Sequence, residues 1–119
     1  MNQTPLGGLN FFKELNLLLD YSNKIYSEYL QSGKLFLYAK ILYSINQRIS
    51  KLLLNNAHLC NENVRKDAME LMLHLDVWST IWVEEFDIQK PSLEDVFAFE
   101  NKVTFPKESV ERLLSSDVS

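Results

Sequence analysis

Residues 71 to 87, Leu-Met-Leu-His-Leu-Asp-Val-Trp-Ser-Thr-Ile-Trp-Val-Glu-Glu-Phe-Asp, constrain the fold more than any other stretch of this 119-residue chain. They carry both tryptophans in an almost wholly apolar helical pattern that runs straight into carboxylates. A helix with one apolar stripe packs on its own domain, whereas one apolar around most of its circumference must be covered from two sides. The second cover is either the rest of this chain or another molecule.

The seam Val64, Ala68, Leu71, Leu75, Trp78 and Trp82 predicts a long third helix. It starts after Asn61 or Asn63, both good caps, and ends near residue 87. Met69, Leu73, Val77 and Val83 make a partial outer stripe, and the β-branched run 77 to 83 also has strand character. Two further helices precede it. After a Thr4-Pro5-Leu6-Gly7-Gly8 entry, from about residue 9 to 31, Phe12, Leu15, Leu19, Ser22, Tyr26 and Tyr29 recur at steps of three and four. Phe11, Leu18 and Ile25 widen that face, and Ser32-Gly33 stops the helix. From about residue 34 to 59 the same alternation runs through Leu35, Tyr38, Leu42, Ile45, Ile49, Leu52, Asn56 and Leu59. Asn56 reads either as a helix end leaving the core or as a buried, register-setting asparagine.

Short links force such helices to lie antiparallel, up-down-up. The segment after Pro91 is ambiguous. Ser92-Leu93-Glu94-Asp95 resembles a capping box opening a short helix, while residues 97 to 105 also alternate like a hairpin around Asn101-Lys102. Pro106 then opens a last helix, Lys107–Ser115, with Val110, Leu113 and Leu114 facing inward. The expectation is an all-α antiparallel bundle of three long helices plus a short C-terminal helix, with a small β-hairpin near 97–105 as the open alternative. Three glycines and three prolines suit few long elements, and no linker divides residues 1–119 into two domains.

Cys60 is the only cysteine, which suggests a reducing, cytoplasmic setting. The first residues show no basic region leading into an apolar core and cleavage site, so no secretory signal is expected. The longest apolar run, residues 35 to 45, is broken by Lys40 and too short to span a bilayer. The net charge of −4 is unevenly spread. Residues 34 to 61 hold four basic and no acidic side chains, whereas residues 62 to 100 hold ten acidic against three basic. Such a chain lacks the broad positive field that nucleic acid requires.

No glycine-rich phosphate loop, paired-cysteine motif or HExxH sequence is present. His74 follows Glu70 by four residues, where a di-iron bundle wants Glu-x-x-His on two helices, so it reads as a polar neighbour of Glu70. His58 suits the end of a helix, where a cation favours the dipole. Arg48 and Arg65 lie ten and nine residues before the histidines, too far for the arginine–histidine spacing of small helical nucleases. Glu84-Glu85 resembles the start of the magnesium-binding motif of helical nucleotide pyrophosphatases, but Phe86-Asp87-Ile88 follows and the third glutamate is missing. Glu94, Asp95 and Glu100 are the carboxylates that would have to complete a hard-cation site. Cys60 has no matched histidine and acid, and reads as an inert thiol. No catalytic residue, metal ligand or cofactor is expected.

What remains is an acidic-aromatic segment. Glu84, Glu85 and Asp87 occupy the last turn of the third helix, where the dipole disfavours negative charge by about 0.3–1 kcal/mol each. Together with Glu94 and Asp95, and with Trp78 and Trp82 as anchors, they read as a surface for a basic protein. The leading expectation is a small acidic, non-catalytic protein that binds and masks a basic partner, like an antitoxin or immunity protein. The first alternative is a helical chaperone or assembly partner that holds an amphipathic helix, or a second copy of the chain, on the outer stripe Met69, Leu73, Val77 and Val83. The second is a metal-dependent all-α nucleotide hydrolase.

Overall fold

Asn61 starts the third long helix by accepting the Val64 amide on its side-chain oxygen at 2.9 Å, which satisfies one of the four amides that a helix start leaves without partners. The computed structural model describes residues 3–100 and 102–115. Helices occupy Gln3–Gln31 (α1), Phe36–Asn56 (α2), Glu62–Gln89 (α3) and Lys107–Ser115 (α4), with a 3-10 turn at Ala57–Leu59 closing α2. The protein is all-α; among the described residues the one β contact is an isolated bridge between Leu35 and Val96.

Several boundaries differ from the sequence reading, each for a local reason. α1 begins at Gln3, not near residue 9. Pro5 sits in the first turn, where a missing N–H removes no helical bond, and a glycine weakens a helix by about 1 kcal/mol without ending it. Gly33 and Lys34 both take positive φ, 81° and 68°, and the Lys34 amide donates back to the Tyr29 carbonyl at 2.8 Å. α2 therefore begins at Phe36 rather than Lys34. α3 runs to Gln89, two residues past the expected end. Lys90 then turns left-handed at φ 47°, since the residue before Pro91 is disfavoured in the α region.

The start of α2 has no side-chain cap. Its first amides are satisfied from elsewhere: Phe36 donates to the Asp95 carbonyl at 2.8 Å and Leu37 to the Leu93 carbonyl at 3.1 Å. The loop after α3 is thus the cap of α2. Ser92 and Asp95 do exchange bonds, the Ser92 amide donating to the Asp95 carboxylate at 2.8 Å and the Asp95 amide to the Ser92 carbonyl at 3.0 Å. No helix follows them, because Val96 pairs with Leu35 and Phe97 is drawn into the core. Nor do residues 97 to 105 make a hairpin among the described residues; Asn101, at the expected turn, lies outside them.

α2 is the centre of the assembly. α1 packs along it, α3 packs on it and on α4, and α1 and α3 share no extensive interface. Antiparallel α2–α3 pairing shows in Trp82 meeting Ala39 and Tyr43 while Ser79 accepts from Gln47. The tail then returns along α3: Phe97 lies on Trp82, Phe99 on Trp78, Phe105 on His74, and Arg112 pairs with Asp67 at 2.9 Å. It forms a fourth arm, without regular structure in the described part of its first half and helical in its second. The long axis measures 48 Å, close to the ~43 Å of a 29-residue helix at 1.5 Å per residue.

The main core joins aliphatic residues of all four helices, with Leu15, Ile49, Leu53, Ala68, Leu71 and Leu113 fully buried. Because α2 is covered on two sides, its buried arc is wider than the predicted seam and takes in Phe36, Ala39, Asn46 and Leu53. Asn56 lies half-buried at the helix end and donates to the Leu52 carbonyl at 2.8 Å, so the reading of a helix leaving the core holds. The side chain of Leu59 lies outside the described set. Val110 and Leu113 of α4 are buried and Leu114 half-buried, as the spacing predicts.

Candidate functional site

The helical phase of α3 separates the residues that chain proximity had grouped. At about 100° per residue, Glu84 and Asp87 lie roughly 160° and 140° around the helix from Trp82, while Glu85 and Phe86 lie within roughly 60°. The structure follows this phase. Trp82 is 6% exposed, donates its indole N–H to the Ala39 carbonyl at 3.2 Å, and stacks on Tyr43 and Phe86. Its edge contacts reach Phe97. Trp78 is half-buried between Tyr43 and Phe99. Neither tryptophan stands beside Glu84 or Asp87; both support the end of α3 from beneath.

Glu84, Asp87 and Glu94 are exposed. Among the described residues none of the three takes part in an ion pair or side-chain hydrogen bond; the ion pairs there are Lys24–Glu28 and Arg112–Asp67. Glu85 is half-buried and accepts from Gln89 at 2.9 Å, and the same Gln89 amide donates to the Ala98 carbonyl. Asp95 is engaged with the Ser92 amide. Around these carboxylates the chain exposes Phe86, Ile88, Leu93 and Val96, with Ile88 at 74% and Val96 at 61%. A hollow of about 490 Å³ opens at their base between Phe36, Lys40, Tyr43, Phe86, Pro91 and Leu93. This end of the molecule is acidic and apolar at once.

Burial lowers the His74 pKa below its ordinary 6.5, against a smaller opposing effect of the Thr104 backbone. Its ring meets Phe105 edge-on, and its Nδ1 is buried without a hydrogen-bond partner. His74 is half-buried, as expected of it, but makes no ion pair with exposed Glu70 among the described residues, and its imidazole meets the tail instead. Burial likewise raises the Cys60 thiol, more than nearby Arg65 lowers it, and the Sγ–H points to the Asn56 carbonyl at 3.7 Å. That is an unreactive setting. Among the described residues no three His, Cys, Asp or Glu side chains converge as metal ligands, and no helix is long and apolar enough to cross a membrane.

Sequence reasoning passed over two buried polar residues. Asp67, in α3, holds Arg112 through both carboxylate oxygens and so fixes α4; this hydrogen bond and charge raise the Arg112 pKa further. Asn46 is buried between α1 and α2, its Oδ1 accepting from Ser22 at 3.5 Å. A polar residue interrupting an apolar arc was the available signal for both. Asn46 lines a second, larger cavity, of about 620 Å³, between α1, α2, α3 and the fourth arm.

Compared with known protein families, with curated proteins and with solved structures, the chain matches none.

Proposed function

We propose that the protein works without catalysis, by binding and masking a basic protein partner across the end of α3 and the loop after it, in the manner of an antitoxin or immunity protein. One observation carries this reading: Glu84, Asp87 and Glu94 are exposed and unpaired among the described residues, beside exposed Phe86, Ile88, Leu93 and Val96. Carboxylates at the negative end of a helix dipole are disfavoured, and no cation of the described chain pairs with them. A partner's lysines or arginines would supply that cation. The apolar side chains would supply desolvated contact area, and the carboxylates would steer association. Trp82 serves as the rigid support of Phe86, with Trp78 behind it on Tyr43 and Phe99 and Glu85 and Asp95 at the margin.

The test is affinity isolation of the native partner, then titration of wild type and a Glu84→Lys, Asp87→Lys, Glu94→Lys variant at low and high salt. Wild-type affinity should fall steeply with salt, and the variant should associate far more slowly at low salt. A folded variant that binds as tightly as wild type would overturn the reading.

A second reading rests on the outer stripe of α3, where Met69, Leu73 and Val83 are exposed, Leu73 at 59%. There the protein would act as an assembly partner, holding another chain's amphipathic helix or a second copy of itself. Such binding would barely change with salt and would be lost on Leu73→Glu, while the triple lysine variant would leave it intact.

A further inference from the structure

The cavity of about 620 Å³ lies between α1, α2, α3 and the part of the fourth arm that is not helical. Among the described residues of this arm before α4, Phe99 and Phe105 line the gap. One wall is Trp78, Phe99 and Phe105, the other is Leu19 and Tyr26, and Leu42 and Leu75 line it from the centre. Its volume falls within the roughly 300–1,000 Å³ of small-molecule sites, which combine apolar walls with a few placed polar groups.

Asn46 is that polar group. It is buried, lines the cavity, and makes one hydrogen bond among the described residues, the 3.5 Å contact from Ser22. A side-chain amide has two donors and an acceptor with two lone pairs, so the Nδ2 donors of Asn46 remain available to a molecule in the cavity, whose lining also holds His74 with its buried Nδ1 lacking a hydrogen-bond partner. Charge is nearly absent from the lining. Asp20 and Lys34, both exposed, are of opposite sign, and burial favours the neutral forms of His74 and Tyr29. A charged molecule would lose its hydration there without gaining a buried counter-charge.

We propose that this cavity binds a small, uncharged, mainly apolar molecule whose polar group pairs with the side-chain amide of Asn46. Trp82 lines both this cavity and the hollow at the acidic end of α3, but Glu84, Asp87 and Glu94 do not line the cavity, and neither reading depends on the other.

Prodan, an uncharged naphthalene bearing one ketone, is a suitable probe because its emission shifts to the blue in apolar surroundings. Wild type should bind it saturably, with one site per chain. Asn46→Leu removes the amide but keeps the volume, and should weaken binding about threefold to tenfold, the worth of one hydrogen bond. Ser22→Phe fills the cavity and should weaken it by about tenfold or more. Leu93→Glu, in the hollow at the other site, should leave it unchanged. The anionic probe anilinonaphthalene sulfonate should bind wild type at least about tenfold more weakly than prodan. Absence of saturable prodan binding, full binding by Ser22→Phe, loss in Leu93→Glu, or equal binding of the anion would each overturn the proposal. If melting curves show Ser22→Phe unfolded, amide spectra of wild type with prodan decide: shifts centred on Asn46, Trp78 and Phe99 support the site, and shifts centred elsewhere refute it.

Discussion

The two buried clusters of this protein are built by different rules. The aliphatic core around Ile49, Leu53 and Leu71 is assembled from side chains that recur along helices. The aromatic cluster of Phe36, Trp82 and Phe97 depends on a segment with no regular structure. Phe97 reaches it because its own amide donates to the Lys34 carbonyl at 2.8 Å while its carbonyl accepts from the Tyr29 hydroxyl. Periodicity suffices where helices supply the whole core. Where a segment without regular structure supplies the central ring, its contacts reach residues as distant in the chain as Phe36, and backbone pairing with Lys34 sets them.

The sharpest way to break that comparison is Phe97→Ala. Removing this fully buried ring should cost about 3–5 kcal/mol, with Trp82→Ala in the same range. Hydrogen exchange is the informative measurement. The Phe36 and Leu37 amides, capped by the loop that Phe97 anchors, should exchange fast, while amides around Ile49 keep relatively more protection. Equal loss at both places would show one cooperative unit and erase the distinction.

Ile49→Ala probes the other cluster and should cost about 2–5 kcal/mol. Urea unfolding should show a lower midpoint with Phe36 and Leu37 no more labile than the rest. Selective opening of the loop would contradict the division.

A smaller effect is expected from His74, whose ring meets Phe105 edge-on and lines the cavity. Its folded pKa lies below 6.5 because of burial. Between that folded value and 6.5 the unfolded chain binds more protons, so the contribution is present above 6.5 and is lost as pH falls. Comparing urea midpoints at about pH 7.5 and about pH 5.5, wild type should lose more stability than His74→Phe. An identical loss in both would place the pH response elsewhere.

The least effect on folding should come from Glu84→Lys with Asp87→Lys. Both side chains are exposed at the negative end of α3, so reversal should leave stability unchanged or raise it by roughly 0.3–1 kcal/mol per residue. A drop in melting temperature would mean that these carboxylates hold the fold after all.

The sequence by itself determined the all-α class, the stripes of the three long helices, an asparagine cap at Asn61 or Asn63, the Lys107–Ser115 helix and the seam position of Trp82. Each follows from interactions within about one turn, or from side chains repeating on one helix face, and such patterns are printed along the chain. The same phase places Glu84 and Asp87 away from the tryptophans, a separation that reading neighbours along the chain obscured. Only the tertiary structure decided the rest. The uncapped start of α2 found its acceptors in the Leu93 and Asp95 carbonyls, Phe97 found Trp82, Asp67 found Arg112, and a cavity that Asn46 lines lies beside the non-helical part of the fourth arm. These depend on backbone groups and gaps between elements, and neither a carbonyl nor an empty volume has a letter in the sequence.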